Sequence, residues 1–137
     1  MVDNTDMVDA TAGAVRVVVV DDDEDVRDLL TLMFDLDDRF ELVGSAADGQ
    51  EGIDTVCRLV PDVVVVDLDL PGVDGLGVID HVNALELDIR VVVFSSFPDP
   101  FTLFEVLRRG AHGYLNKANA WAELLPMIAG LFHSASR

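Results

Sequence analysis

Apolar and polar positions alternate along this chain in blocks that predict strands and helices in turn. The clearest block is a run of four consecutive valines, Val63–Val66, with Asp62 before it and Asp67 after it. A run that is apolar on both faces is typical of a strand buried between two layers of helices. Four further runs rich in β-branched and aromatic residues also predict strands; they cover residues 15–20, 41–46, 91–94 and 112–116.

The segments between these strands carry apolar residues at helical spacing. Pro98 and Pro100 are assigned to the loop before the fourth helix, and Arg108, Arg109 and Gly110 form a helix end with cations followed by glycine. Strands alternating with helices across short loops predict a parallel sheet with helices on both faces. The apolar positions that define the helices are Val26, Leu29, Leu30 and Met33, then Ile53, Val56, Leu59 and Val60, then Leu76, Ile79, Val82 and Leu85, then Phe101, Phe104, Val106 and Leu107, with a fifth helix at about residues 119–132.

The ends of the chain differ in character from its middle. Residues 1–14 are acidic, small and aperiodic, which predicts a flexible tail before a domain at residues 15–133, and residues 134–137 form a polar stub. The last helix is apolar nearly all round, and Pro126 inside it is expected to kink or break it. Its apolar surface has two interpretations, core packing or a surface for self-association or a partner.

Composition restricts the function. The 137 residues carry a formal net charge of −17, which argues against nucleic acid or an anionic membrane as a direct partner. Either solubility or adaptation to salt would account for such acidity, and the sequence does not separate the two. The single cysteine, Cys57, excludes an internal disulfide and is expected in the core, as a small apolar residue. Without a signal peptide or a long apolar run, the chain is expected to be a cytoplasmic domain.

Polar residues stand where four of the predicted strands end. Asp21 and Asp22 follow the first strand, Asp67 follows the third, Ser95 follows the fourth and Lys117, the only lysine, follows the fifth. The carboxyl ends of parallel strands meet at one edge of the sheet, where ligands bind in open α/β folds. Three carboxylates there predict a site for Mg²⁺ or Mn²⁺, and a carboxylate held in this way is a plausible acceptor of a phosphoryl group.

Four stretches of this sequence together resemble the receiver domain of two-component response regulators. They are residues 17–22, 62–75, 91–95 and 110–117, and the resemblance spans about residues 15–133. It implies a flavodoxin-like (βα)5 fold with the parallel strands in the order 2-1-3-4-5. The resemblance also implies a cytoplasmic signalling module that is phosphorylated on an aspartate.

The resemblance implies a role for each acidic residue of the pattern. Asp67 corresponds to the phosphorylated residue. Asp21 and Asp22 correspond to the acid pair that binds Mg²⁺ or Mn²⁺, together with Asp67 itself and the main-chain carbonyl of Asp69. The implied donor is the phosphohistidine of a sensor histidine kinase or of a histidine phosphotransfer protein.

The remaining matched positions imply a switch. Ser95 corresponds to the hydroxyl that moves towards the phosphoryl group, Tyr114 to the aromatic residue that changes rotamer with it, and Lys117 to the lysine of the family. The rearrangement is expected to alter a surface on the last helices that binds a downstream protein or an output domain, and a homodimer through the last helix is a further expectation. The chain is then not an enzyme beyond its own phosphorylation and slow dephosphorylation.

Two other functions are consistent with parts of the pattern. Asp67-Leu68-Asp69 also resembles the nucleophile motif of haloacid-dehalogenase-type phosphatases, although in those enzymes the acid pair follows the nucleophile and here it precedes it. The other alternative is a receiver that binds partners without being phosphorylated. The sequence leaves open whether the domain acts alone or is part of a longer regulator.

Overall fold

The computed structural model describes residues 13–96 and 99–133. Most of the predicted N-terminal tail and the whole of the predicted C-terminal stub lie outside these residues. The strands are β1 Val15–Val20, β2 Phe40–Ala46, β3 Val63–Val66, β4 Arg90–Ser95 and β5 Gly113–Asn116. The helices are α1 Glu24–Asp35, α2 Gly49–Leu59, α3 Gly75–Ala84, α4 Pro100–Arg108 and α5 Trp121–His133.

The five strands form one parallel sheet in the order β2-β1-β3-β4-β5. Because successive side chains point to opposite faces of a strand, each valine run supplies both faces of the sheet. One face packs against α2, α3 and α4, and the other packs against α1 and α5. This is the three-layer flavodoxin-like fold that the sequence predicts, with the predicted strand order confirmed.

Aspartates at the carboxyl side of the sheet begin four of the helices. Asp23, Asp48, Asp74 and Asp99 are the N-caps of α1 to α4, and each side chain accepts a hydrogen bond from a main-chain amide of the first turn. A carboxylate there satisfies a free amide and complements the helix dipole. Part of the chain's acidity therefore stabilises helix starts.

The structure corrects the predictions for the two helical prolines. Pro126 does not break α5, because Trp121–His133 form one helix that includes it, and the kink stays a prediction. Pro126 and Ala122, whose carbonyl loses its helical partner, both lie on the exposed side of α5, where water can hydrogen-bond that carbonyl. Pro100 is the first residue of α4 rather than part of the loop, a position where a missing amide costs nothing.

The core prediction for Cys57 is also wrong. Its thiol is exposed, because the side of α2 that faces the sheet carries Ile53, Thr55 and Val56. Cys57 follows Val56 by about 100° around the helix axis and so points outward.

The large apolar residues of α5 mostly pack inward. Leu124 and Ile128 are fully buried, while the exposed positions among residues 121–132 are Ala122, Glu123, Pro126 and Gly130. This arrangement supports the core-packing interpretation of α5. The exposed large apolar side chains of the described residues lie mainly on α1 and α4 instead: Leu29, Leu32 and Leu36 at α1, and Phe101, Phe104 and Leu107 on α4. Within the described residues no helix is long and apolar enough to cross a membrane.

His112 joins the edge strand β5 to β4. Its main-chain amide donates to the Val91 carbonyl at 2.7 Å, and its Nδ1 accepts from the Val91 amide at 3.0 Å. Burial and, after it, the neighbouring Arg90 guanidinium lower the pKa of His112 below its ordinary value. A ring nitrogen that accepts a hydrogen bond must be unprotonated, so this junction depends on the neutral imidazole.

We expect acid to weaken the fold through His112. The folded state binds the imidazole proton less tightly than the unfolded chain does, so the stability that neutral His112 contributes is complete at high pH. It is lost as the pH falls through about 6.5 towards the lower pKa of the folded state. Urea unfolding at about pH 7.5 and about pH 5.5 measures this. The decrease in the free energy of unfolding from the higher to the lower pH should be smaller in His112→Gln than in the unchanged protein. Equal decreases in the two proteins would contradict the prediction.

Candidate functional site

The carboxyl ends of β1, β3, β4 and β5 bring the predicted site residues together. Asp21, Asp67 and Ser95 lie in one pocket and are 2%, 5% and 1% exposed, and the Lys117 side chain reaches into it from the end of β5. The parallel register explains this, since Val20 pairs with Val66 and Val66 with Val93, so that the strands end side by side. Asp22 lies at the exposed mouth of the pocket.

Both carboxylate oxygens of Asp67 are held. Oδ1 accepts from the Ser95 hydroxyl at 2.5 Å and from the Asp69 amide at 3.2 Å. Oδ2 accepts from Lys117 Nζ at 2.9 Å. A carboxylate bonded on both oxygens has little rotational freedom, so Asp67 is presented in a fixed orientation at the end of its strand.

Asp21 is the most buried carboxylate of the pocket. Its Oδ1 accepts from the Asp23 amide at 2.9 Å, and its Oδ2 lies 2.7 Å from Lys117 Nζ. Burial raises the pKa of Asp21, and the hydrogen bonds from Lys117 and Asp23 offset that rise only in part. Proximity of the Asp67 charge acts in the same direction as burial.

Lys117 is the cation between the two buried carboxylates. Burial lowers the pKa of its ammonium, but the hydrogen bonds and charges of Asp21 and Asp67 outweigh burial and leave that pKa above its ordinary value. The ammonium is therefore charged at neutral pH, and it offsets the repulsion that two buried carboxylates would otherwise exert on each other.

The acidic residues fit a divalent cation. Asp21, Asp22 and Asp67 each offer a carboxylate oxygen, and these oxygens all lie within 4.8 Å of one another. Oxygen ligands, net negative charge and an exposed mouth that admits water suit Mg²⁺, which keeps several waters in protein sites. The main-chain carbonyl of Asp69 as a further ligand stays a prediction.

Ser95 and Tyr114 connect the pocket to the surface. The Ser95 hydroxyl, besides donating to Asp67, accepts from the Leu68 amide at 3.3 Å. The Tyr114 hydroxyl donates to the Ser96 carbonyl at 3.1 Å and lies 3.4 Å from that of Ser95. A half-buried aromatic ring thus holds the main chain that carries the site hydroxyl.

Two contributors to the pocket are absent from the sequence predictions. Gly75 begins α3 against the carboxyl end of β3, and a Cβ there would lie 2.4 Å from the Asp67 carbonyl oxygen and 2.6 Å from Leu68 Cα. Only glycine allows α3 to come this close to the main chain at Asp67 and Leu68. The one sequence signal for this contact is a glycine, a poor helix former, at the start of a helix. The other is Arg27, whose Nη1 donates to the Asp21 carbonyl at 2.7 Å.

Comparison with known proteins agrees with this geometry. The family described as "Response regulator receiver domain" matches residues 17–129. The chain belongs to the receiver domain family. The receiver signal domain of NarL from Mycobacterium tuberculosis superposes with a TM-score of 0.81 at 31% identity, covering 86% of this chain and 95% of that one.

Full-length relatives extend well beyond this receiver. The transcriptional regulatory protein LiaR of Bacillus subtilis is 33% identical over 114 residues, which are 83% of this chain and 54% of LiaR. A protein-glutamate methylesterase/protein-glutamine glutaminase of Syntrophomonas wolfei is 33% identical over 111 residues, 80% of this chain and 31% of that protein. The receiver thus spans about half the length of the first relative and a third of the second. Receivers of this family are signalling switches of two-component systems, and the family assignment goes against the dehalogenase-type phosphatase.

Proposed function

We propose that this receiver accepts a phosphoryl group on Asp67 from the phosphohistidine of a sensor histidine kinase or histidine phosphotransfer protein, in a reaction that needs Mg²⁺ or Mn²⁺. The observation that carries the proposal is the arrangement around one carboxylate. Asp67 is oriented by Ser95 at one oxygen and by Lys117 at the other, beside Asp21 and Asp22. A hydroxyl, an ammonium and a cation site around an aspartate suit phosphoryl transfer and its charge.

The transfer exchanges one bond for another. A carboxylate oxygen of Asp67 forms the new P–O bond while the P–N bond to the donor histidine breaks and its electrons stay on the imidazole. A bound divalent cation would neutralise charge on the phosphoryl oxygens. The Lys117 ammonium, already 2.9 Å from Asp67 Oδ2, and the Ser95 hydroxyl would hold the oxygens of the transferred group.

The exposed stripe of α1 suits the docking of the donor. α1 begins at Glu24, two residues after Asp22, so its first turn lies close to the mouth of the pocket. Leu29, Leu32 and Leu36 are 45%, 53% and 77% exposed and recur at i, i+3 and i+7, the spacing of a helix-packing seam. A donor helix packed on this stripe would lie next to the site.

The output surface that we propose includes α4. When Ser95 turns towards the phosphoryl group, its bonds to Asp67 and Leu68 are exchanged for new ones, and Tyr114 is free to follow. The chain that carries Ser95 leads into α4, where Phe101 and Phe104 are 72% and 60% exposed. Exposed aromatic side chains on one helix suit a protein partner or an output domain.

Amide hydrogen exchange of α4 should change on phosphorylation. Identical exchange with and without phosphorylation would contradict the proposal that α4 belongs to the output surface.

The intact mass of the protein tests the proposal. After incubation with Mg²⁺ and acetyl phosphate we expect a gain of one phosphoryl group, about 80 Da, and no gain when Mg²⁺ is removed with a chelator. Release of inorganic phosphate over many turnovers would favour a phosphatase instead. No adduct from acetyl phosphate or from a phosphohistidine donor would favour a phosphorylation-independent interaction module.

A further inference from the structure

The peptide bond between Asp21 and Asp22 has an unusual anchor. β1 ends at Val20, whose carbonyl accepts from the Asp67 amide at 3.0 Å. The next carbonyl, that of Asp21, lies past the last pair of the ladder between β1 and β3. It accepts instead from Arg27 Nη1 at 2.7 Å, a charge-assisted bond from one turn into α1.

We propose that Arg27 is a positioning residue for the cation site, an inference that rests on the proposed metal-dependent function. Because the peptide unit is planar, holding the Asp21 carbonyl also sets the direction in which the chain leaves towards Asp22. Asp21 is held by its own side-chain bonds to Asp23 and Lys117. Asp22 has no such bonds within residues 13–96 and 99–132, so its carboxylate depends on the backbone that Arg27 fixes.

The main chain of Arg27 is held within the first turns of α1. Its amide donates to the Asp23 carbonyl at 3.0 Å, and its carbonyl accepts from the Thr31 hydroxyl at 2.7 Å. Among the described residues its guanidinium forms no ion pair with a carboxylate, although every residue from Asp21 to Asp25 is acidic. The guanidinium therefore binds the Asp21 carbonyl, next to the site, and does not pair with a neighbouring carboxylate.

The charge and the geometry of Arg27 have opposite effects on cation binding. Removing a positive charge from the neighbourhood of three carboxylates makes the site more negative, which by itself tightens the binding of a divalent cation. Removing the bond to the Asp21 carbonyl frees the Asp22 carboxylate to move, which weakens binding. A change in cation affinity on removal of Arg27 therefore shows which effect dominates. A positioning role for Arg27 predicts that cation binding becomes weaker.

Titration with Mn²⁺, followed by the EPR signal of the free ion, measures this directly. Arg27→Gln should weaken Mn²⁺ binding about tenfold, as loss of a group that orients a metal ligand typically does. Arg27→Lys keeps the positive charge and a hydrogen-bond donor. Its affinity for Mn²⁺ should lie between those of Arg27→Gln and the unchanged protein. The matched control is Arg58→Gln, which removes one charge from an exposed position on α2 and should leave the affinity unchanged.

A second readout separates positioning from a general loss of structure. With acetyl phosphate as donor, the Mg²⁺ concentration for half-maximal phosphorylation should rise in Arg27→Gln, while the rate at saturating Mg²⁺ stays near that of the unchanged protein. Equal or tighter Mn²⁺ binding in Arg27→Gln, with normal circular dichroism, would overturn the inference. If that variant does not fold, a Mn²⁺ affinity of Arg27→Lys equal to the unchanged protein would overturn it instead. Failure of the unchanged protein to bind Mn²⁺ would overturn the metal part of the proposed function and this inference with it.

Discussion

Replacing Asp67 with alanine should abolish the mass gain of about 80 Da on incubation with Mg²⁺ and acetyl phosphate. The reason is local, because Asp67 is the carboxylate held jointly by the site hydroxyl and the site ammonium. The other buried carboxylate, that of Asp21, receives Lys117 but no hydroxyl. We therefore expect that no neighbouring carboxylate is phosphorylated in Asp67→Ala.

The control for this experiment is Asp88→Asn. Asp88 is 90% exposed and pairs with Arg90 at the amino end of β4, the edge of the sheet opposite to Asp67. Removing its charge should leave the mass gain and its dependence on Mg²⁺ unchanged. A full adduct on Asp67→Ala would show that another residue is the acceptor, and peptide mapping after reduction of the acyl phosphate would locate it.

Replacing Lys117 with methionine should destabilise the protein at neutral pH in the absence of divalent cations. The change leaves Asp21 and Asp67, which are nearly buried, facing each other without a counter-charge. Removing one partner of a buried ion pair costs roughly 3–5 kcal/mol, and we expect about 3 kcal/mol here because the lysine is partly exposed. Urea unfolding measures this loss of stability. Bound Mg²⁺ should restore part of it by supplying positive charge to the two carboxylates.

The pH dependence of this variant has a definite sign. Burial already raises the pKa of Asp21 in the unchanged protein, and loss of the Lys117 hydrogen bond removes an effect that lowers it. A carboxylate whose folded pKa lies above its unfolded value favours the folded state as it takes up a proton, so the deficit should shrink as the pH falls towards about 5. Arg58→Met, at an exposed position, should change stability by less than about 0.5 kcal/mol. A deficit in Lys117→Met that neither pH nor Mg²⁺ alters would contradict the assigned role.

The convergence of the site was predictable because it follows from topology. Strong periodicity placed the five strands, and parallel pairing then required Asp21, Asp67, Ser95 and Lys117 to meet at one edge of the sheet. The individual hydrogen bonds confirm that they meet. Their assignment as acceptor, ligands and switch still rests on the resemblance and remains a proposal.

The features that the sequence did not predict depend on facing angle and backbone proximity. Cys57 has apolar neighbours along the chain but points outward, and spacing alone does not set the rotation of α2 about its axis. Gly75 touches the backbone at Asp67, a contact between main chains that no side-chain pattern records. Arg27 acts through a carbonyl, whereas motif reading matches side chains with side chains.

The sequence left two interpretations of the apolar helix α5, core packing or an association surface, and the structure supports core packing. α5 has the more apolar sequence, yet it covers one face of the sheet and leaves mainly small residues outside. α4 buries only Val106 and exposes Phe101, Phe104 and Leu107. Apolar content therefore did not identify the exposed surface, because burial depends on how much of a helix its neighbours cover.

The solitary lysine gives this receiver an unusual chemical simplicity. Reagents that modify side-chain amines, including acetyl donors, find one target in the whole sequence, and it stands between two buried carboxylates. Acylation of that single amine would remove its charge and thereby change the charge balance of the pocket without touching any other side-chain amine. Amine labelling of the intact protein, counted against its α-amino group, thus reports on the accessibility of Lys117 Nζ.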